Sequence, residues 1–319
     1  MPTATTERRG PDLPRRLDTP ADLRRWSERC RAAGLLVGLV PTMGALHAGH
    51  RSLVQRARAD CDRVVVSIFV NPLQFGPGED LDRYPRSLED DLALLTADGV
   101  DAAFVPTVAA MYTAQSATSV HVGGPVSAAL EAVHRPGHLE GVATVVAKLL
   151  IACRPQRAYF GQKDAQQCAV VRRLARDLDT GVEIAICPVV RDPDGLALSS
   201  RNTYLSAEQR RRALAIPIGL SAAATAFAGG EHQAAALCEL VRHPMEEAGF
   251  RVEYVAAVDP ESFAAVEVAL PGCQILVAGR MGATRLIDVI RLGIDQAPLD
   301  AGDPDGSQVP GIIGILGRE

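Results

Sequence analysis

The chain has 319 residues, of which 47% are hydrophobic and 22% charged, a balance typical of a globular protein of about two domains. Its net charge of −5 argues against a general role on nucleic acids or membrane surfaces, because both are anionic. No apolar run approaches the ~20 residues that span a bilayer, and residues 1–20 lack the apolar segment of a secretory signal. We therefore expect a cytoplasmic protein. The seven cysteines include no close pair, which favours buried thiols over a disulfide scaffold or zinc ribbon.

Apolar, strand-like runs alternate with helical patterns through the first 189 residues. Strands are predicted at 35–40, 64–70, 102–105, 157–160 and 182–186. Helices are predicted from His50, over 88–95 with Ser87 as the cap, over 142–153 and over 164–178. This alternation predicts an α/β fold with a Rossmann-like, doubly wound parallel sheet, in which ligands bind at the carboxyl ends of the strands.

The pattern changes beyond about residue 190. A long helical stretch rich in alanine and arginine begins at Ser206, and strands follow at 252–255 and 274–278, with a turn at 280–284. We therefore expect two domains, one over 1–189 that contains the parallel sheet and a smaller α+β domain over 190–319. The composition of 1–20 and 295–319 predicts that both ends are mobile.

His47 and His50 stand among small residues where the first strand gives way to a helix. Backbone N–H groups and the helix dipole favour anions at such a turn, phosphates above all. A histidine adds a donor for charge that develops on a phosphate oxygen. Two loop histidines without a function remain an alternative, and a zinc site is disfavoured because no third ligand is close in sequence.

Four further polar segments follow predicted strands or precede helices. Asn71 and Gln74 could hold the hydroxyl and carbonyl groups of a small polar substrate, or simply cap a turn. Lys163 lies at the next strand-to-helix junction, where it could reach a phosphate. The loop 191–202 carries two serines and Arg201, a pattern suited to a flexible phosphate clamp, and 134–138 is a basic turn. Each segment alone is weak evidence, but all are expected at one edge of the sheet.

Together these segments resemble the pantothenate synthetase (pantoate–β-alanine ligase) family. The matching motifs are Pro-Thr-Met-Gly-Ala-Leu-His-x-Gly-His at 41–50, Ser-Ile-Phe-Val-Asn-Pro-x-Gln-Phe at 67–75, Arg-Pro-x-His at 135–138, Phe-Gly-x-Lys-Asp-x-Gln-Gln at 160–167, Asp-Gly-Leu-Ala-x-Ser-Ser-Arg-Asn at 194–202 and the segment 279–288. The resemblance runs from about residue 36 to 288 and leaves out only the two ends.

The resemblance implies that pantoate and ATP, with Mg²⁺, form pantoyl adenylate and pyrophosphate, and that β-alanine then displaces AMP. By this resemblance the domain over 1–189 would bind nucleotide and pantoate, and the smaller domain over 190–319 would be a lid. The family gives His50 the role of proton donor, with His47, Lys163 and Arg201 as the other catalytic groups. The implied ATP site comprises Met43, Gly44, Ala45, Leu46, His47, Ala48, Gly49, His50, Gly161, Gln162, Lys163, Asp164, Val190, Leu198, Ser199, Ser200 and Arg201. Asn71, Gln74 and Gln167 match pantoate-binding positions, and Gln74 also faces β-alanine. The resemblance implies a homodimer and leaves the metal ligands unknown.

Three residues depart from the family pattern. Gln162 stands where the family often has Glu, Leu198 where it usually has Met, and Leu139 where it often has Phe. Gln162 is expected to remove a negative charge near the phosphates. Two alternatives stay open: another adenylyl-transferring enzyme, which would share the histidines but not the amides, and a non-catalytic nucleotide-binding regulator, which would have lost His50 or Lys163.

Overall fold

A six-stranded parallel sheet forms the centre of the first part of the chain. The computed structural model describes residues 13–299. The strands are β1 Arg15–Leu17, β2 Val37–Thr42, β3 Arg63–Ile68, β4 Ala102–Phe104, β5 Arg157–Gly161 and β6 Glu183–Cys187. Their order is β1-β4-β3-β2-β5-β6, and every pair is parallel. The chain order reverses between β2 and β5, which opens a crevice at their carboxyl ends. The predicted doubly wound fold is confirmed.

Helices cover this sheet. They are α1 Pro20–Ala32, α2 Ala48–Asp60, α3 Leu88–Ala97, α4 Val108–Met111, α5 Glu131–His134, α6 His138–Cys153 and α7 Ala165–Asp177, with short 3₁₀ turns at Pro72–Gln74 and Pro125–Ser127. Ser87 is the N-cap residue of α3, as predicted, although its side chain makes no cap hydrogen bond. Among residues 13–299, no single helix is long and apolar enough to cross a membrane; one bent pair, 125–134 with 138–153, passes by length and composition only.

The last third of the described chain forms a smaller α+β unit. It contains a 3₁₀ turn at Ser200–Tyr204, then α8 Ala207–Arg212, α9 Ala215–Ala228, α10 Ala234–Glu247, β7 Arg251–Val258, β8 Gln274–Met281 and β9 Thr284–Arg291. The three strands form an antiparallel sheet in the order β7-β8-β9. The predicted turn between the last two strands is present, with Gly282 at a φ of +61°.

Both faces of this small sheet are buried. Along β8, Ile275 and Val277 belong to the core formed with α9 and α10, whereas Leu276 and Ala278 belong to the large core of the parallel sheet. This is the two-residue alternation of a strand, with apolar side chains on each side. The small sheet therefore joins the two cores.

The structure revises the expectation for the chain ends. Residues 15–17 form β1, which pairs with β4, and α1 begins at Pro20 with Thr19 as its cap. Near the other end, the Asp295 carboxylate accepts hydrogen bonds from Arg291 and Gln162. Edge pairing and partly buried polar contacts thus hold segments to which composition assigned mobility. The rest of those predictions, 1–12 and 300–319, lies outside the described residues.

Candidate active site

The histidine turn lies at the carboxyl end of β2. Thr42 ends the strand, and α2 begins at Ala48 with His47 as its cap. Gly44 and Ala45 both have positive φ angles, +82° and +50°. A non-glycine residue in this region is strained, and such strain often marks a functional segment.

His47 and His50 cap the first turn of α2 with their own rings. The Gly49 N–H donates to His47 Nδ1 at 3.1 Å, and the His47 N–H donates to His50 Nδ1 at 3.3 Å. Burial, then nearby positive charge, lowers the pKa of His47 to about 4 and that of His50 to about 3. Each neutral ring must carry its proton on Nε2, since Nδ1 is an acceptor. Both histidines are thus hydrogen-bond donors rather than cations.

Glycine is required at position 49 by the His47 ring. A Cβ atom there would lie 2.8 Å from His47 Cε1. The Gly-His pair in the motif therefore has a packing reason: the ring of His47 folds over the backbone of Gly49, which is what lets Nδ1 accept from it.

The cationic groups come from two other elements. Lys163 precedes α7, and its Nζ lies 3.7 Å from Asp164. The guanidinium of Arg201, on the 3₁₀ turn, makes two hydrogen bonds of 2.9 Å to the Asp80 carboxylate. Burial alone would raise the pKa of Asp80, but the hydrogen bond and charge of Arg201 lower it. Arg201 is therefore fixed by an internal anion.

The two amides after β3 are buried and bonded to each other. Asn71 Nδ2 donates to Gln74 Oε1 and to the Gly141 carbonyl, each at 3.1 Å, and the Tyr112 hydroxyl donates to Asn71 Oδ1 at 2.8 Å. Gln74 Nε2 lies 3.1 Å from Met43 Sδ, a weak acceptor. Asn71 thus positions Gln74, whose amide is the freer of the two.

Arg135 and His138 hold the backbone of Gln74. His138 Nδ1 donates to the Gln74 carbonyl at 2.8 Å, and Arg135 donates to His138 Nε2 at 3.0 Å and to both Glu79 oxygens at 2.7 Å. Burial, then the charge of Arg135, lowers the pKa of His138 to about 4. The segment 134–138, which the sequence marked only as a basic turn, is thus part of the site's framework.

These groups line one cavity of about 210 Å³ between β2, β5 and the segment after β6. The predicted residues that line it are Met43, His47, Gly49, His50, Asn71, Gln74, Gly161, Lys163, Asp164, Gln167, Val190, Leu198, Ser199, Ser200 and Arg201. Arg135, His138 and Tyr84 line it as well, although they were not among the predicted site residues. Residues from all five polar segments of the sequence therefore meet, as the edge-of-sheet argument predicted.

Five residues predicted for the ATP site do not line this cavity: Gly44, Ala45, Leu46, Ala48 and Gln162. The N–H groups of Ala45 and Leu46 donate to Asp91, so this part of the turn faces away. Gln162 is 3% exposed, and its Nε2 donates to Asp295 at 2.5 Å. The side chain of Gln162 therefore points to the C-terminal segment, which argues against the expected effect on charge near the phosphates.

Sequence reasoning missed the acidic partners of the site. Asp80 binds Arg201, Glu79 binds Arg135, and Asp91 binds the histidine turn. They lie in the polar stretch 79–91, where nothing in the pattern separates a buried carboxylate from a solvated one. Only the tertiary contacts distinguish them.

Comparison with known proteins agrees with this geometry. The model of the pantoate–β-alanine ligase family matches residues 15–291. The chain belongs to this family. It is 50% identical over 291 residues to a pantothenate synthetase of Acidobacterium capsulatum, covering 88% of this chain and 97% of the relative. As a member of the family it is a carbon–nitrogen ligase.

Solved structures of the family have the same fold. Pantothenate synthetase from Thermus thermophilus has a TM-score of 0.81 and 48% identity, covering 87% of this chain and 99% of that one. The ligase from Francisella tularensis, complexed with β-γ ATP and β-alanine, has a TM-score of 0.71 and 30% identity, covering 87% and 97%.

Proposed function

We propose that this cavity joins pantoate to β-alanine at the expense of ATP, through pantoyl adenylate, with AMP and pyrophosphate as products. The observation that carries the proposal is that phosphate-binding groups and carboxamides line a single cavity: His47, His50, Lys163 and Arg201 with Gln74 and Gln167. The Francisella relative with an ATP analogue and β-alanine supports the same pair of substrates.

In the first half-reaction a pantoate carboxylate oxygen attacks the α-phosphorus, and the bond to the β-phosphate oxygen breaks. Negative charge grows on the phosphoryl oxygens and on the departing pyrophosphate. The Nε2–H groups of His47 and His50 are neutral donors for that charge, while Lys163 and Arg201 are fixed cations. Since no covalent enzyme intermediate is involved, the residues act by positioning and electrostatic stabilisation.

In the second half-reaction the β-alanine amine attacks the acyl carbon of the adenylate, an amide forms, AMP leaves and the amine loses a proton. Gln74 and Gln167 are suited to the hydroxyl groups of pantoate, because a carboxamide both donates and accepts. Gln74 is also the residue proposed to face β-alanine. Water must be kept from the adenylate during this step.

Mg²⁺ fits the site as an ion held chiefly by the triphosphate. Residues 13–299 contain no cluster of three or more metal-binding side chains. Mg²⁺ on nucleotides usually needs only one or two carboxylates. Asp164 is the carboxylate that lines the cavity, and it makes no cap hydrogen bond to α7. When bound, the ion would neutralise phosphate charge, with Asp164 as its protein ligand.

The lid role of residues 190–319 is a further part of the proposal, with a boundary at 189/190. Its support is that Val190 and 198–201 line the cavity from the second unit. A homodimer and a cytoplasmic location stay predictions; sedimentation of the purified protein tests the first.

The test is AMP formation by the purified protein with ATP, Mg²⁺, pantoate and β-alanine, each omitted in turn. We expect AMP only with all four, and pyrophosphate exchange that needs pantoate but not β-alanine. Adenylyl transfer to another acceptor, with no response to pantoate, would favour the other adenylyl-transferring enzyme. Nucleotide binding without turnover would favour the regulator.

A further inference from the structure

The buried carboxylate of Asp91 lies against the histidine turn. Asp91 is 2% exposed, on the first half of α3, about 45 positions along the chain from its partners. Its Oδ2 accepts from the Ala45 N–H at 3.0 Å, and its Oδ1 accepts from the Leu46 N–H at 2.7 Å. Within residues 13–299 it forms no salt bridge, so the turn is its main polar partner.

The backbone of this turn has the form of an anion site. Gly44 and Ala45, with φ of +82° and +50°, turn successive N–H groups toward one side. Such concave N–H arrangements usually bind phosphate or another anion. Here the anion is the protein's own carboxylate, and a Cβ at Gly44 would lie 2.9 Å from Asp91 Oδ2. The phosphates must therefore be met by the side chains beyond this turn.

The geometry points to Asp91 as a positioning residue for His47 and His50, an inference that rests on the proposed function. Leu46, whose N–H it binds, directly precedes His47, the cap of α2. The strained φ of Ala45 persists only if the surroundings impose it. By neutralising and fixing these N–H groups, Asp91 sets the start of α2 and so the direction of both ring Nε2–H groups.

Burial disfavours the charged form of the Asp91 carboxyl group. It raises the pKa of Asp91, an effect that the N–H groups of Leu46 and Ala45 partly offset. A carboxylate in such a position is costly unless its hydrogen bonds are complete. Asn at this position would keep the size of the side chain, but its NH₂ group would face at least one backbone N–H. Two donors cannot form a hydrogen bond, so the turn would have to shift.

The experiment compares Asp91→Asn with Asp90→Asn, an exposed neighbour on the same helix. Pantoate-dependent pyrophosphate exchange and single-turnover transfer from preformed adenylate are measured in each, with circular dichroism as the folding check. We expect Asp91→Asn to lower kcat for adenylation by about 10- to 100-fold, because small misplacements of catalytic groups have effects of that order. In Asp91→Asn, KM for β-alanine and the rate of transfer from the adenylate should stay at wild-type values. Asp90→Asn should match the wild-type protein in every one of these measurements.

A second variant, Asp91→Ala, removes the carboxylate, and formate added to the solution replaces it. A cavity of about 300 Å³, lined in part by Met43, Gly44 and Asp91, gives a small anion access to the turn. Adenylation by Asp91→Ala should therefore rise with added formate and not with chloride at equal ionic strength. Recovery by formate distinguishes a positioning anion from a residue that only fills space.

Each outcome bears on the inference. A folded Asp91→Asn protein with wild-type kcat, or a slow, folded Asp91→Ala protein that formate does not restore, would overturn it. So would the failure of both variants to fold even in formate, which would assign Asp91 to stability alone. If the wild-type protein itself makes no pantoyl adenylate, the proposed function fails instead, and the two failures are thereby distinguished.

Discussion

The proton on each histidine of the turn is placed by the backbone. Because Nδ1 of His47 and His50 accepts an N–H, rotation of either ring would break a cap of α2. The capping box usually uses Ser or Thr with Glu; here two imidazoles perform it. The same bonds that start the helix thus leave Nε2–H as the free donor of each ring, at the cavity that both residues line.

This arrangement predicts the protonation of the free protein. With a pKa of about 4 for His47 and about 3 for His50, both rings should be neutral at pH 7 and protonated on Nε2. Their folded pKa lies below the unfolded value of about 6.5, so their contribution to stability is complete above that pH and lost as pH falls toward 4. Side-chain ¹⁵N spectra between pH 8 and 4 check this, with the signal of exposed His243 recorded for comparison. A cationic His50 at pH 6.5 would contradict it.

Gln162 is matched to Asp295. Its Nε2 donates to a carboxylate that also binds Arg291. A Glu at position 162 would place its carboxylate against that of Asp295, whereas the amide of Gln162 donates a hydrogen bond to it.

Gln162→Glu should therefore lower the free energy of unfolding by about 1–3 kcal/mol, since a buried acceptor would lose its donor. KM for ATP should change little, because the side chain does not line the cavity. Urea unfolding and initial rates measure the two effects. The double variant Gln162→Glu/Asp295→Asn should recover most of the stability; a raised KM for ATP with unchanged stability would refute the assignment.

At the level of elements, α6 approaches the 3₁₀ turn 72–74 closely enough to exclude any side chain. A Cβ on Gly141 would lie 2.2 Å from the Leu73 carbonyl oxygen and 2.6 Å from the Gln74 backbone nitrogen. The Gly141 carbonyl also accepts from Asn71. The position of Gln74 thus depends on a helix that begins 64 residues later in the chain, at His138.

Gly141→Ala should push this turn away and weaken pantoate binding more than ATP binding. A shift of about 1 Å is expected to lower kcat/KM for pantoate by about 10- to 100-fold. Gly76→Ala, where the new Cβ would be 3.9 Å from Glu79 Cδ, is the matched control. Equal losses for pantoate and ATP would argue that the helix supports the whole cavity instead.

The sequence predicted the elements better than their partners. Hydrophobic periodicity located β2 to β6 and the main helices, because burial on the sheet faces leaves a regular pattern. It missed β1, a three-residue edge strand, and α1. The motif residues His50, Lys163 and Gln74 could be placed at one edge from strand ends. Asp91 and Glu131 could not, since a buried carboxylate is recognised only by its distant partners.

At the scale of the whole molecule, one ionic cluster connects the two units. Arg285 on β9 donates to both oxygens of Glu131 on α5, at 2.6 and 3.0 Å, and to Glu253 on β7 at 2.6 Å. The Tyr254 hydroxyl donates a further hydrogen bond, of 2.6 Å, to the Glu131 carboxylate. Burial would raise the pKa of Glu131, but Arg285 lowers it. Arg135, which holds the Gln74 backbone, lies 3.8 Å from Glu131, so the cluster reaches the part of the cavity that Gln74 lines.

Arg285→Ala should be strongly destabilising, because buried Glu131 loses both of its guanidinium hydrogen bonds and Glu253 keeps only Arg280. The expected loss is about 3–5 kcal/mol in the free energy of unfolding. Urea denaturation measures it, and Arg242→Ala, an exposed helix pair with Glu239, should change stability by less than about 0.5 kcal/mol. If Arg285→Ala lowers the free energy of unfolding no more than the control does, water must solvate the two carboxylates in the variant.

The small sheet also has a consequence for synthesis of the chain. Strands β7 to β9 are the last of the described elements to leave the ribosome, yet Leu276 and Ala278 complete the core that β2 to β5 begin. Until they emerge, the part of the chain before β7 presents an apolar surface that only the final strands can cover. Nascent chains in that condition are prone to associate with one another. We therefore expect that the two units, although separate in sequence pattern, mature as one cooperative body.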